Sequence, residues 1–558
     1  MKVFPMRATS VSAAFLLVGL AASHSSWAST NPNPVVVGTS MTTPFIENST
    51  TIWSVQGTGP YNVVYSHDNG DSWQTLTQMD SDVTQLPASL FVHPSGNIFI
   101  SESVDMTDPQ PLARILRLNR QSLAFSTQVT LDPYAMVLPW GWAMDAQGNL
   151  YAGQYGHLTA SCNVAPPTVS YIWKVAGASG NPADNNKSNW SWTGTTPWTA
   201  VAPYVSSANC FSPDGWGWLN LPGTSSDRHI HNLRFDSWHG EFVINAGDNP
   251  KNTFLWDGDM SDVPQPVPAD SFAPSDCQDP SYDYSLTGYT GCAPQNDALY
   301  VGDDWSYGCA PSLSSPWVRD NRIRQYQWVN GVLQAPVTVL AMSSLNGGIW
   351  NTPIFDLHAT SDQLNLFFVT TDENRPDLTP AQTQHSGIHR LSRSSPGQPF
   401  TQASFTNLLD SNSSQYAWAF IATDQNSQVP AGMNYIFVQS EMQPTTVIRI
   451  WTPQAWTDSP TSLVTNGATL NGVVSAFGFP GLPTTVSFEY GLTTSYSACT
   501  TGTQTSGDAV TRVSQRVTNL APLRMYHYRV RTDNALGTFY GTDVTFLSDA
   551  SLWPSVAQ

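Results

Sequence analysis

Residues 90–101 read LFVHPSGNIFIS. An apolar run meets a Pro-Ser-Gly turn and resumes as Asn97-Ile98-Phe99-Ile100-Ser101. Val, Ile and Phe fit a pleated strand, and Pro and Gly set the dihedrals of a tight reversal, so the stretch predicts two antiparallel strands. The same element returns as WAMDAQGNLYAG from Trp142, LRFDSWHGEFVIN from Leu233 and NDALYVGD from Asn296. It returns again as LHATSDQLNLFFVTTD from Leu357 and NSQVPAGMNYIFVQSE from Asn426. A further strand follows each copy: ARILRL from Ala113, YIWKVAG from Tyr171, TFLWDGD from Thr253, RIRQYQW from Arg322, GIHRLSR from Gly387 and VIRIWTP from Val447. TIWSVQGTGPYNVVYSHDNGDSW from Thr51 makes a seventh unit. Spacings of roughly 45 to 70 residues, with one of about 90, match four-stranded blades with variable loops. One such unit cannot bury both faces, so the units must stack. The expected fold is all-β: a seven-bladed β-propeller over residues 35–455. A β-sandwich or β-helix is the competing arrangement of such strands.

The rest of the 558-residue chain agrees with that class. Charged residues are only 11%, against 38 Gly, 41 Pro and 21 Trp. Few charges, many turn formers and many aromatics describe a β-rich fold rather than a disordered chain. Residues 1–28 carry Lys2 and Arg7, an apolar core from Ala13 to Ala22, and Ser26-Trp27-Ala28 at a small-x-small site. They read as a secretory signal peptide, too short to span a membrane, so a secreted, periplasmic or cell-surface location is expected. The net charge of -19 makes nucleic acid and anionic membranes poor partners. Six cysteines, none in a CxxC pair, predict disulfides in an oxidising compartment: Cys162 with Cys210, and two of Cys277, Cys292 and Cys309 together, leaving Cys499 free.

Ser66-His67-Asp68-Asn69-Gly70-Asp71-Ser72-Trp73 fits S-x-D-x-G-x-x-W and resembles the Asp-box of sialidase-like (BNR-repeat) propellers. The resemblance implies a structural role: Asp and Gly form a tight hairpin and Trp packs between blades. The arginine triad with which sialidases grip a carboxylate has no counterpart here. Past a linker near residues 456–462, residues 462–548 carry ATLNGVVSA, TTVSFEYG, RVSQRVTNL and MYHYRVRTDNALGTFYGTDVTFLS. These resemble a bacterial fibronectin type III module, an immunoglobulin-like β-sandwich. Leu520-Ala521-Pro522 before Tyr526 is similar to that family's tyrosine corner. Residues 549–558 read as a tail.

In a propeller the inner strand of each blade begins at the face where ligands usually bind, and loops after the second strand open on the same face. That geometry gathers Trp140-Gly141-Trp142, His229-Ile230-His231, Trp350-Asn351 and Tyr416-Ala417-Trp418 at inner-strand starts. It gathers Glu102, Tyr155, Asp248, Asp303-Asp304, Asp372-Glu373 and Glu441 at second-strand ends. Trp140, Trp142, Trp350, Asn351, Tyr416 and Trp418 are the candidate ligand-binding residues, because aromatic faces stack on sugar rings. His229, His231, Arg228, Asp248, Asp303 and Asp304 are the candidate catalytic residues. Paired acids can divide the work of glycoside cleavage. His-x-His on a strand puts both imidazoles on one face, for one metal or one general base. A ring of carboxylates could hold Ca²⁺, and no other cofactor is implied. Each has a structural counterpart: acids cap turns, tryptophans plug channels, and lone histidines pack.

GxSxG, P-loop, HExxH, GxGxxG and CxxCH signatures are missing. The expected function is action on an extracellular glycan, by hydrolysis or elimination. Ulvan lyases, propellers that use a histidine base with Tyr and Arg partners, are an analogy at the level of fold. The many acids would repel a strongly anionic substrate, which favours a hydrolase over a lyase, or a metal bridging acid and substrate. The alternatives are a non-catalytic glycan-binding or adhesion protein and a structural propeller that recognises protein.

Overall fold

The computed structural model describes residues 35–548 apart from 104–111, 132–134, 157–170, 176–198, 204–229, 247–251, 259–264, 269–288, 304–320, 346–351, 372–385, 394, 412–418, 432, 434, 441–444, 452–454, 465, 476–482, 506–509, 535–536 and 542. The expected signal peptide and tail lie outside these residues. The described chain is all-β, broken only by short 3-10 turns such as Pro139–Gly141. Among the described residues no helix is long and apolar enough to cross a membrane.

Residues 35–451 form successive small antiparallel sheets, in a propeller-like arrangement. Sheet 1 is Phe45–Asn48, Thr51–Gln56, Asn62–Ser66 and Gln74–Gln78. Sheet 2 is Ser89–Val92, Asn97–Ser101, Arg114–Asn119 and Ala124–Thr130. Sheet 3 is Trp142–Met144, Leu150–Gly153, Tyr171–Val175 and Thr199–Pro203. Sheet 4 is Ile230–Asp236, Glu241–Ala246, Asn252–Trp256 and Gln265–Pro266. Sheet 5 is Tyr289–Pro294, Ala298–Asp303, Arg322–Val329 and Val337–Ala341, with a small hairpin at Val332–Leu333. Sheet 6 is Ile354–Ala359, Asn365–Thr370, Ser386–Ser392 and Thr406–Ser411. Sheet 7 is Ala419–Ile421, Tyr435–Ser440 and Thr446–Trp451, and its fourth strand is Val35–Thr39 from the other end of the chain.

The first strands are mostly buried, with polar residues such as Asn232, Arg234, Asp356 and His358 set among apolar ones, and each packs on the first strand of the next sheet from sheet 3 to sheet 7. Gly302 marks how close the sheets come: a Cβ there would lie 2.4 Å from Ile354 of sheet 6. The turns from first to second strand are closed by side chains on their own backbone. The Asp145 carboxylate accepts from Gln147 and Asn149 N–H, Asp236 from Trp238 N–H, and Asp424 from Asn426 and Gln428 N–H. Acids there act as turn caps.

Besides the Thr43–Gln439 side-chain bond, three contacts join sheet 1 and the strand before it to the rest of sheet 7. Val35–Thr39 pairs with Thr446–Trp451. Phe45 bridges Thr423 in parallel, and Ile46 N–H donates to Thr423 O at 2.9 Å. The third contact is the Ser66–Trp73 hairpin. Asp68 accepts from Ser66 and Ser72 hydroxyls and from Ser72 N–H. Those bonds, Ser72's foremost, hold its carboxyl down at about 2. Gly70 sits at φ 82°, with Phe437 and Val37 at 3.2 and 3.3 Å from where a Cβ would stand, so both conformation and space call for glycine. Trp73 Nε1 donates to Val37 O at 2.9 Å, and Arg449 of sheet 7 reaches Asp71 at 2.8 Å and Asn69 O at 2.7 Å.

Residues 455–548 form two further sheets. One orders Ala455–Val464, Gly467–Ser475 and Val510–Thr518; the other centres on Thr484–Gly491 and Met525–Asn534. Leu470, Phe488, Tyr528, Val530 and Phe546 fill the space between them. Tyr526 Oη accepts from Ala521 N–H at 2.9 Å. The linker expected near residues 456–462 is instead a strand. Its pairing slips between Asp458 and Thr461, and those irregularities accommodate Pro460 on an edge strand. Cys292 is buried without a disulfide, its Sγ 3.3 Å from Asn232 Oδ1, and Cys499 is free and exposed. Cys292 thus leaves the expected trio; Cys162, Cys210, Cys277 and Cys309 lie outside the described residues.

Replacing Trp73 by Ala removes its bond to Val37 and its packing beside Phe437, and is expected to cost about 2 kcal/mol. A chemical-denaturation midpoint equal to the parent's would show that the hairpin does not hold the ring closed.

Candidate functional site

The axis of the sheets is closed by rings. The 3-10 turn Pro139–Gly141 begins with Pro, which presets its dihedral, and delivers Trp140 inward just before sheet 3 starts. Trp140 is 1% exposed. Its ring centre lies 4.6 Å from Phe355 of sheet 6 and 5.0 Å from Phe420 of sheet 7. His231 of sheet 4 lies 6.2 Å away and Tyr155 lies 6.3 Å away, and those two rings stack on each other at 26°. Four sheets thus meet around one indole. Its Nε1 is buried with no hydrogen-bond partner, as are the hydroxyls of Thr352 and Thr371 at the same end of sheet 6.

His231 and Phe355 arrive by the same device. In sheets 4, 5 and 6 the pairing slips at the second residue of the first strand, at His231, Thr290 and Phe355. A bulge leaves one residue out of the ladder and re-aims its side chain, and such bulges gather beside functional sites.

Beneath the rings lies a buried charge network. Arg234 donates to Trp140 O at 2.9 Å and stands 3.9 Å from Asp356. Asp356 contacts His358 Nε2 at 2.8 Å and accepts Ile421 N–H of sheet 7 at 2.9 Å. His358 Nδ1 lies 2.9 Å from Ser427 O in the turn that Asp424 caps. Burial pulls the Arg234 pKa down, opposed by the Cys292 thiol and Asp356, yet a guanidinium starts high enough to stay charged. Burial pushes the Asp424 carboxyl up to about 6, against the turn's hydrogen bonds and the charge of His358.

Of the candidate residues, the structure places six: Trp140, Trp142, Tyr155, His231, Asp303 and Glu102. Trp140 and His231 come together on the axis. Trp142 does not join them: it is buried between sheets 2 and 3, its Nε1 donating to Ser89 Oγ at 2.8 Å and its ring 6.0 Å from Phe91. The strand begins at Trp142, so the 3-10 turn breaks the alternation that would have put both tryptophans on one face. Asp303 is buried away from the rings and is held by Arg324 Nε at 3.0 Å and Arg322 N–H at 3.1 Å. Glu102 is held the same way by Arg114 Nε at 2.8 Å and its N–H at 2.9 Å. In both sheets the acid after the second strand grips the arginine of the third, which commits it to holding the sheet. Arg228, His229, Asp248, Asp304, Trp350, Asn351, Tyr416 and Trp418 lie outside the described residues. So do Asp372, Glu373 and Glu441. Among the described residues no group of three or more His, Cys, Asp or Glu could hold a metal ion.

No protein-family model and no curated protein sequence matches the chain. Among solved structures it is similar to an oligogalacturonate lyase from Vibrio parahaemolyticus: 9% identity, 76% of this chain and 95% of that one, TM-score 0.42. It is also similar to a puromycin-hydrolyzing peptidase from Mycobacterium tuberculosis: 10% identity, 80% and 61%, TM-score 0.36. A third likeness is to the sensor domain of an anti-sigma factor in Pseudobacteroides cellulosolvens: 15% identity, 18% and 95%, TM-score 0.15.

Two outcomes test the network. Asp356→Ala leaves the Arg234 charge buried without its partner and is expected to cost about 3 kcal/mol or more, with part recovered in the Arg234→Met, Asp356→Leu pair. Equal stability of parent and single variant by urea unfolding would remove the network's role. The folded Asp424 value, about 6, stands above the ordinary value near 3.8, so the folded chain holds that proton more tightly than the unfolded one. This contribution is present in full below the ordinary value and is lost as pH rises through about 6. Unfolding midpoints of the parent should fall across that window. The Asp424→Asn curve should be flatter, and superimposable curves would refute the assignment.

Proposed function

We propose that the chain is an exported seven-bladed β-propeller carrying a C-terminal fibronectin type III-like module, and that it cleaves glycosidic bonds of an extracellular polysaccharide. The seven small sheets, the closing strand Val35–Thr39 and the Asp-box-like hairpin support the propeller. The two-sheet packing and the Tyr526–Ala521 bond support the module.

The observation that carries the function is the aromatic floor. Trp140, Phe355 and Phe420 close the axis, with Tyr155 and His231 packed beside them at the end where the first strands begin. A ring of this kind closed by a floor offers a blind depression rather than a channel. Apolar walls with a few convergent polar groups suit a ligand with both kinds of surface, such as a sugar. The remaining candidates are sequence neighbours of strand termini at the same end, which supports placing them there. Arg228 and His229 directly precede Ile230; Asp248 follows Ala246, and Asp304 follows Asp303. Trp350 and Asn351 precede Thr352, and Tyr416 and Trp418 precede Ala419. On this reading His231 or His229 moves a proton at the glycosidic oxygen. Asp248 or Asp304 takes the partner role, Arg228 steadies developing negative charge, and the tryptophans hold the sugar faces. A divalent cation such as Ca²⁺ is the one cofactor the acids would accept.

Binding without turnover is the second reading. It is favoured by Asp303, which its arginine withholds from proton transfer.

The test is a panel of neutral and acidic polysaccharides with and without EDTA, following reducing ends and the ultraviolet absorbance of unsaturated products. Reducing ends alone identify a hydrolase, both signals a lyase. His231→Phe keeps a ring beside Trp140 and loses the proton donor, so turnover should fall about 100-fold or more. Full turnover in that variant would remove His231 from the mechanism, and retention of a glycan without turnover by the parent would establish the second reading.

A further inference from the structure

We infer that the outward face of the larger C-terminal sheet is a binding platform for a neutral polysaccharide, built on Tyr496, Arg529 and Tyr540. This site is separate from the propeller and does not depend on the catalytic reading.

The strand Met525–Asn534 alternates. Tyr526, Tyr528 and Val530 point into the sandwich core, so His527, Arg529, Arg531 and Asp533 stand on the other face. On that face the Arg529 guanidinium carbon lies 3.7 Å from the ring centre of Tyr540 and 4.4 Å from that of Tyr496. The guanidinium therefore touches both rings, and it and Tyr496 are held in place by hydrogen bonds. Glu489 accepts from Arg529 Nε at 3.0 Å and from a terminal nitrogen at 2.8 Å. Tyr496 Oη donates to Asp543 Oδ1 at 2.8 Å, and Asp543 Oδ2 lies 2.7 Å from His527 Nδ1. Arg531 joins the row opposite Tyr540, held by Glu489 at 3.1 Å and by Asp533 at 2.8 and 2.9 Å. Tyr540 itself is 44% exposed on the short edge strand Gly537–Tyr540.

A rigid, half-exposed aromatic ring backed by a guanidinium does little for the core of the module. Its cost in ordering long side chains is met before any ligand arrives, which is what a preorganised site requires. The chemistry selects the ligand. An open ring face takes the C–H face of a sugar, while carboxylate oxygens and guanidinium N–H groups beside it meet hydroxyls as acceptors and donors. The two arginines are already neutralised by Glu489 and Asp533, so the face offers no net positive charge to an anionic glycan. The chain's net charge of -19 adds repulsion of polyanions. A neutral polysaccharide is the occupant that fits both.

The experiment is affinity electrophoresis of the full chain in gels containing mixed-linkage β-glucan, galactomannan or polygalacturonate, with light scattering of the same samples. Retardation is expected in a neutral gel and not in polygalacturonate. Tyr540→Ala should weaken it roughly 3- to 10-fold, the scale of one aromatic contact. Arg529→Lys, which keeps the charge and loses the planar fork, should weaken it too. Val332→Ala, exposed on the propeller-like domain, should bind as the parent does. The proposal is overturned if no neutral gel retards the parent, if polygalacturonate alone does, or if Tyr540→Ala binds unchanged while its melting curve matches the parent's. It is equally overturned if Tyr540→Ala converts a dimer to a monomer, because the occupant would then be a second copy of the chain.

Discussion

A single guanidinium holds the centre of this molecule. Arg234 is 2% exposed on a first strand, and apart from a long bond to Leu233 O its guanidinium is met from outside its own sheet. It is met by the Trp140 carbonyl from sheet 3 and by Asp356 from sheet 6, while Asp356 and His358 reach on to the backbone of sheet 7. Apolar contacts alone would let neighbouring sheets slide over one another at little cost. A buried network with fixed partners does not, since any slip leaves a charge without its acceptor. The indole of Trp140 inherits that rigidity through its own carbonyl. The floor under the candidate ligand face is therefore positioned by electrostatics one layer below it.

The ring has a seam where the two ends of the repeat meet, and that is where specific bonds are densest. Strand pairing, a parallel bridge and the Ser66–Trp73 hairpin all cross it. Closing the ring with a strand drawn from the far end of the sequence satisfies an edge that would otherwise be open to another chain. It also makes stability of the first and last sheets one quantity rather than two. The hairpin adds a charge pair, Arg449 with Asp71, to a contact that is otherwise backbone and apolar.

The strands themselves were legible because each sheet obeys period two and punctuates its turns with Gly, Asp and Pro. ARILRL, YIWKVAG, TFLWDGD, RIRQYQW, GIHRLSR and VIRIWTP each overlap a third strand. The candidate site was less legible for a physical reason: near the axis the period fails. A 3-10 turn separates Trp140 from Trp142, and a bulge lifts His231 out of register, so neither side chain follows from counting along a strand. Phe355 and Phe420 passed as ordinary core residues. The network did leave a trace, with Arg234 inside LRFD and Asp356 and His358 two apart inside FDLHA, charged residues set in apolar first strands. Pro460 misled in the other direction, marking a linker where an irregular edge strand runs.

Departures from local rules are frequent at the end of the sheets where first strands begin. Where first strands turn back into second strands, aspartates cap their own backbone in three sheets, and side chains such as His93 on Gly148 O and His358 on Ser427 O tie one turn to the next. Where first strands begin, the chain spends bulges, a 3-10 turn, buried unpartnered polar atoms at Trp140, Thr352 and Thr371, and acids restrained by arginine. Concentrated departures from local consistency are common at functional sites, and here several of them surround Trp140 and His231.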